Sequence, residues 1–91
     1  MTSATPEIVV YSSPFCGYCS AAKRLLDKKG VRYTEIDVIA DPDQRKVMME
    51  RSGRRTVPQI FVGERHIGGF DDMKALDDAG GLDPLLAAAA T

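Results

Sequence analysis

The chain has 91 residues, 44% hydrophobic and 27% charged, with a formal net charge of −1 at pH 7. That is the composition of an ordinary soluble globular protein about one domain long, and its near-neutral charge provides no global field to gather nucleic acid or anionic membrane. No apolar run approaches the ~20 residues of a membrane span; the longest, Leu85-Leu86 followed by Ala87 to Ala90, reads as a short helix or frayed tail.

In chain order, residues 7–12 carry the β-like run Ile8-Val9-Val10-Tyr11 and are predicted as a strand. A helix follows over 16–29, with Ala21, Ala22, Leu25 and Leu26 on its inner face and Gly30 as its stop. Residues 31–38 read as a second strand that contributes Tyr33, Ile36 and Val38 to the core. Asp41-Pro42 combines an N-cap aspartate with a proline at the first helical position, and Gln44 follows three residues after the cap. The helix so begun faces Val47 and Met48 inward and ends at Gly53. The cations of Arg51-Ser52-Gly53-Arg54-Arg55 fit a helix C-terminus, where they complement the macrodipole, better than a nucleic-acid patch. Residues 59–62 and 65–67 are two strands joined by Gly63-Glu64, a Gly-X loop suited to a type II′ hairpin. After Gly68-Gly69 comes a third helix over 71–79, ending at Gly80-Gly81, and Asp83-Pro84 opens a last helical turn. The order β-α-β-α-β-β-α requires an α/β fold with a mixed four-stranded sheet. Right-handed crossover lays the first helix across one sheet face.

The two cysteines stand together as Cys16-Gly17-Tyr18-Cys19, at the carboxyl end of the first strand and the head of the first helix. Residues three apart on a helix share a face, with Cβ atoms ~5–6 Å apart, and a disulfide needs Cα atoms ~4.4–6.8 Å apart. Such a pair closes and reopens with little backbone movement. Unpaired N–H groups and the partial positive charge of the helix start favour a thiolate, and cysteines so placed have pKa values lowered from ~8.5 to ~3.5–7.5. Cys16 is therefore the candidate nucleophile. Three other uses of the pair compete. A structural disulfide needs an oxidising compartment, and Met1-Thr2-Ser3-Ala4-Thr5-Pro6 has no signal-peptide pattern, so a cytoplasmic setting is expected. A zinc site needs about four ligands, and beyond the cysteines there is one histidine, His66. Two inert buried cysteines remain open, although a helix start after Ser12-Ser13-Pro14 is an exposed place.

In this order of elements, Cys16-Gly17-Tyr18-Cys19, Thr56-Val57-Pro58-Gln59-Ile60-Phe61-Val62 and Gly68-Gly69-Phe70-Asp71-Asp72 together resemble the glutaredoxins, most of all the small bacterial dithiol type. The likeness runs from Glu7 to about Leu86. It implies a thioredoxin fold, one domain over 1–91 with residues 1–6 and 88–91 as flexible tails, and glutathione as electron donor, with no nucleotide. Cys16 would be the nucleophile and Cys19 the resolving thiol. The resemblance further implies a cis Val57-Pro58 bond, with Pro58 among the residues that meet glutathione, and a backbone edge at Thr56 and Val57 that pairs with glutathione as an added strand. Gly69, Phe70, Asp71 and Asp72 would hold its γ-glutamyl end at a helix N-terminus; Asp71 could equally be a plain N-cap. Tyr18 would shape the pocket wall. Arg45 matches a position that meets the glycine carboxylate of glutathione, and otherwise reads as a solvated helix arginine.

Two departures stand out. The family often carries a lysine two or three residues before the first cysteine, where this chain has Ser12-Ser13-Pro14-Phe15, and its commoner Pro-Tyr dipeptide is here Gly17-Tyr18. The resulting expectation is a monomeric glutathione-dependent thiol–disulfide oxidoreductase acting on glutathionylated proteins and protein disulfides, with no metal, nucleic acid or membrane partner. Its rival is a dimeric carrier of a [2Fe–2S] cluster, ligated by Cys16 and glutathione, for which a residue other than proline after the first cysteine is a condition. A thioredoxin-like reductase served by a flavoenzyme is disfavoured by the absence of tryptophan.

Overall fold

The protein, seen in a computed structural model, is described over residues 7–90. Its elements are β1 (Ile8–Ser12), α1 (Gly17–Lys28), β2 (Thr34–Asp37), α2 (Pro42–Ser52), β3 (Gln59–Val62), β4 (Arg65–Gly68), α3 (Phe70–Asp78) and α4 (Leu82–Ala90). The sheet order is β2-β1-β3-β4, with β1 and β2 parallel and the other two pairings antiparallel. This is the thioredoxin-like mixed sheet expected from the sequence. The expected tail at 1–6 lies outside the described residues, as does Thr91, while residues 88–90 close α4.

The two central strands are buried on both faces, and their period of two divides the core. Ile8 and Val10 of β1, with Ile60 and Val62 of β3, face Ala22 and Leu26 of α1, Met73 of α3, and Leu82 and Leu86 of α4. Val9, Tyr11 and Phe61 point the other way, onto Val38 and Met48. Met49 packs beside Met48, whereas Val47, the expected partner, is half-buried outside that cluster. Three consecutive apolar residues on α2 leave its inward face undetermined by periodicity.

Local signals act where the sequence places them. Asp41 caps α2, its Oδ1 accepting from the Gln44 N–H at 3.2 Å, and Pro42 takes the first helical position. Gly53 ends α2 at φ 70°, its N–H bonded to the Met49 carbonyl. In the β3–β4 hairpin Gly63 has φ 60° and Glu64 does not share a positive φ, the type II′ pattern. β2 is shorter than the expected 31–38 because its partner has few residues to offer: pairing begins at Val9↔Thr34 and ends at Ser12↔Asp37. The basic run is used within the fold. Arg51 lies 4.0 Å over the Phe61 ring and donates to the Tyr11 hydroxyl and the Gly63 carbonyl, both at 3.1 Å.

Candidate active site

Cys16 is the N-cap of α1. Its φ of −102° and ψ of 108° turn the chain from strand to helix, and its Sγ accepts from the Cys19 N–H at 3.1 Å. A helix N-terminal donor therefore points at the sulfur, as a thiolate requires. Cys16 and Cys19 are joined in a disulfide with Cα atoms 5.2 Å apart. The two sulfurs are unequal: Cys19 is only 1% exposed, whereas Cys16 is half-buried behind an exposed Phe15 and a 63% exposed Tyr18. An incoming reagent can meet only Cys16. Phe15 itself adopts φ 62°, left-handed for a residue with a side chain.

The second wall of the site is the 56–58 loop. Val57-Pro58 is cis, as the resemblance implied, and the Val57 carbonyl oxygen stands 3.9 Å from Cys16 Sγ. Pro58 is buried, Val57 half-buried and Thr56 exposed, so an edge of backbone borders the sulfur. The start of α3 presses against this loop: a Cβ on Gly69 would lie 3.4 Å from the Pro58 carbonyl. Glycine permits that approach.

Together these parts enclose a groove of about 310 Å³ lined by Tyr18, Arg54, Thr56 to Pro58, and Gly69 to Asp72. Tyr18 and Phe70 face each other with ring centroids 6.4 Å apart. Asp72, at the third position of α3, accepts from the Gly69 N–H at 3.0 Å and from Arg54 Nη1 at 2.7 Å, both through Oδ2. The Arg54 bond first, and the Gly69 bond second, hold its carboxyl below the usual aspartate range. Its contribution to stability is therefore present above the ordinary pKa and is lost as pH falls through the depressed one. The exposed Arg54 pair is worth little in itself, but both bonds use Oδ2 alone, and Asp72 lines the groove.

Eight of the nine residues expected to meet glutathione line this groove; Arg45 does not. Its Nη2 donates to the Arg55 carbonyl at 3.4 Å, outside the lining. Arg54 supplies the groove's cation instead. The sequence carried its signal only as part of a charge run. Among the described residues no group of three or more His, Cys, Asp or Glu side chains could hold a metal ion, and no helix is long and apolar enough to cross a membrane.

A cysteine pair at the head of α1, one sulfur reachable and one sealed, beside a cis-proline edge, defines an oxidoreductase of the thioredoxin-like fold with Cys16 and Cys19 as its redox-active pair. A family model for glutaredoxin matches residues 8–67, and the chain belongs to the glutaredoxin family. Glutaredoxin 3 of Escherichia coli is 51% identical over 80 residues, covering 88% of this chain and 96% of that protein. A glutaredoxin of Pseudomonas aeruginosa is 47% identical over 83 residues, covering 91% and 99%. Among solved structures, a buckwheat glutaredoxin–glutathione complex superposes with a TM-score of 0.85 at 37% identity, covering 93% of this chain and 81% of that one. The Brucella melitensis glutaredoxin gives 0.81 at 47% identity, covering 98% and 97%.

In the reduced protein Cys16 is expected to titrate well below a free thiol and Cys19 above it, because Cys19 is buried and would ionise beside an existing thiolate. Iodoacetamide alkylation followed against pH should show one acidic step at Cys16. A midpoint near ~8.5, the free-cysteine value, would remove the helix terminus as the source of activation.

Proposed function

We propose that the protein is a glutathione-dependent thiol–disulfide oxidoreductase that reduces glutathione mixed disulfides and protein disulfides. The observation that carries this reading is the groove running from the Thr56-Val57 edge to the Gly69–Asp72 helix start, with Cys16 Sγ 3.9 Å from the Val57 carbonyl oxygen at its border. A γ-glutamyl-cysteinyl-glycine tripeptide suits it. The edge pairs with its central residue, Asp72 Oδ1 takes its ammonium, and the N–H groups of Phe70 and Asp71 take its carboxylate.

In the first half-reaction the Cys16 thiolate attacks the glutathione sulfur of a glutathionylated protein. The mixed disulfide breaks, the protein thiolate leaves and takes a proton, and Cys16 carries glutathione. A second glutathione thiolate attacks that glutathione's sulfur, releasing glutathione disulfide and restoring Cys16. On a protein disulfide, Cys16 forms the mixed disulfide and Cys19 attacks the Cys16 sulfur, expelling the protein thiol. That route ends in a Cys16–Cys19 bridge, the same pairing that the structure holds, and two glutathiones reduce it. We place this chemistry in the cytoplasm, where thiols are held reduced, on a monomer. The test is turnover of a glutathione mixed disulfide coupled to glutathione reductase; a protein active only with thioredoxin reductase would replace this reading.

One observation favours a second reading, cluster binding. A Cβ on Gly17 would meet nothing within 4 Å, so the space at the residue that follows Cys16 is open. A [2Fe–2S] cluster takes four thiolates. With Cys19 buried, this chain fits only by supplying Cys16, joined by a second copy and two glutathiones. Gly17→Pro separates the readings. Proline suits the first helical position, and Cys16 already has the extended backbone required before it. The variant should melt about 2–8 °C higher, keep reductase activity, and lose any brown dimer formed on anaerobic reconstitution with iron, sulfide and glutathione. A colourless wild-type monomer under those conditions would end the cluster reading.

A further inference from the structure

Gln59, the first residue of β3, is fully buried, and both ends of its amide are engaged. Its Nε2 lies 3.0 Å from the Thr56 carbonyl and 3.3 Å from the Thr56 hydroxyl, and its Oε1 lies 2.7 Å from His66 Nε2. A carbonyl oxygen only accepts, so the amide nitrogen must face Thr56 and the amide oxygen must face His66. That oxygen also only accepts, which fixes the proton of the neutral imidazole on Nε2. The ring is held in turn by stacking on Phe61, with centroids 4.8 Å apart and planes at 28°. Burial first, and then the Arg54 charge, holds its pKa below the usual histidine value, against the opposing pull of Asp72. A continuous series of bonds thus runs from His66 on β4, through Gln59 on β3, to Thr56. Among the described residues Thr56 has no other hydrogen-bond partner.

Thr56 and Val57 form the edge beside the nucleophile, and Gln59 grips that edge from its inner side. We propose that Gln59 and His66 are positioning residues for this edge: they fix the direction of its peptide groups and so set affinity for the glutathione backbone, without acting on Cys16. The proposal rests on the glutathione reading above. The grip is on Thr56, one residue before the peptide whose carbonyl borders the sulfur, so losing it loosens the edge while the α1 donor to Cys16 stays in place.

Two variants test it. His66→Phe keeps a ring to stack on Phe61 and deletes the donor; Gln59→Met keeps length and deletes both amide ends. Each should raise KM for glutathione about fivefold, the equivalent of about 1 kcal/mol, while the iodoacetamide reactivity of Cys16 stays at the wild-type value. Because the two residues act in series, the double variant should be no worse than Gln59→Met alone. In the wild type, nitrogen-15 spectra should show His66 protonated at Nε2 and bare at Nδ1 at neutral pH. An unchanged KM in both variants, a fall in alkylation rate in step with KM, additive effects in the double variant, or the opposite tautomer would each overturn the proposal. A wild-type protein without glutathione-dependent turnover would overturn the functional reading itself, and this one with it.

Discussion

Cys16→Ser is expected to abolish turnover of every disulfide substrate, while Cys19→Ser keeps removal of glutathione from mixed disulfides and loses reduction of protein disulfides. The asymmetry follows from burial. Cys19 is sealed beneath the first turn of α1, so it cannot replace Cys16 against an incoming substrate. A serine at position 16 would keep the capping geometry, but its hydroxyl does not ionise at neutral pH and has no base to deprotonate it. The only imidazole in the chain is engaged with Gln59. Loss of a nucleophile of this kind costs about 10³-fold or more. Cys19→Ser removes only the attack on the Cys16 sulfur, a step that glutathione itself performs when the substrate is a glutathione mixed disulfide. Steady-state rates with one small mixed disulfide and one protein disulfide, measured for both variants, decide the matter. Equal loss of the first activity in both would mean that the thiols share one role.

Much of this is legible in the sequence alone. Asp41-Pro42, Gly63-Glu64 and the alternation along β1 and β3 each fix local structure through a single physical cause, and each behaves as its residues require. The pair Cys16 and Cys19 was legible for the same reason: spacing and helix position together decide its chemistry. What escaped depends on distances between segments far apart in the chain. Arg45 and Arg54 are both arginines near α2, and only the packing of the 54–58 loop against α3 shows that Arg54 reaches Asp72. Gln59 read as one more strand residue, because a fully buried amide is invisible until its two partners, Thr56 and His66, are placed around it. Phe15 gave no warning of its positive φ, since an aromatic residue carries no propensity for that region.

The largest loss of stability from a single methyl group is expected at Gly68. Two penalties coincide there. Gly68 has φ 118°, which residues with a Cβ adopt at a cost of about 1–3 kcal/mol. The added Cβ would also overlap the Asp72 side chain, standing 2.8 Å from Asp72 Cβ and closer still to its carboxylate. A long flexible side chain would swing away. Asp72 cannot do so freely, because its Oδ2 is held by Arg54 and by the Gly69 N–H. Relief therefore requires either breaking both bonds or moving the start of α3, and with overpacking added the total should reach about 3 kcal/mol. For a domain of this size that lowers the melting temperature by about 10–20 °C. Gly53→Ala isolates the first penalty: Gly53 also has a positive φ, at 70°, but a Cβ there meets nothing within 4 Å. It should melt well above Gly68→Ala and bind glutathione normally, while Gly68→Ala, with Asp72 displaced, binds it less well. Thermal melts of the two variants side by side give the answer. If they coincide, the contact with Asp72 contributes nothing, and the helix start of α3 is free to shift without loosening the groove.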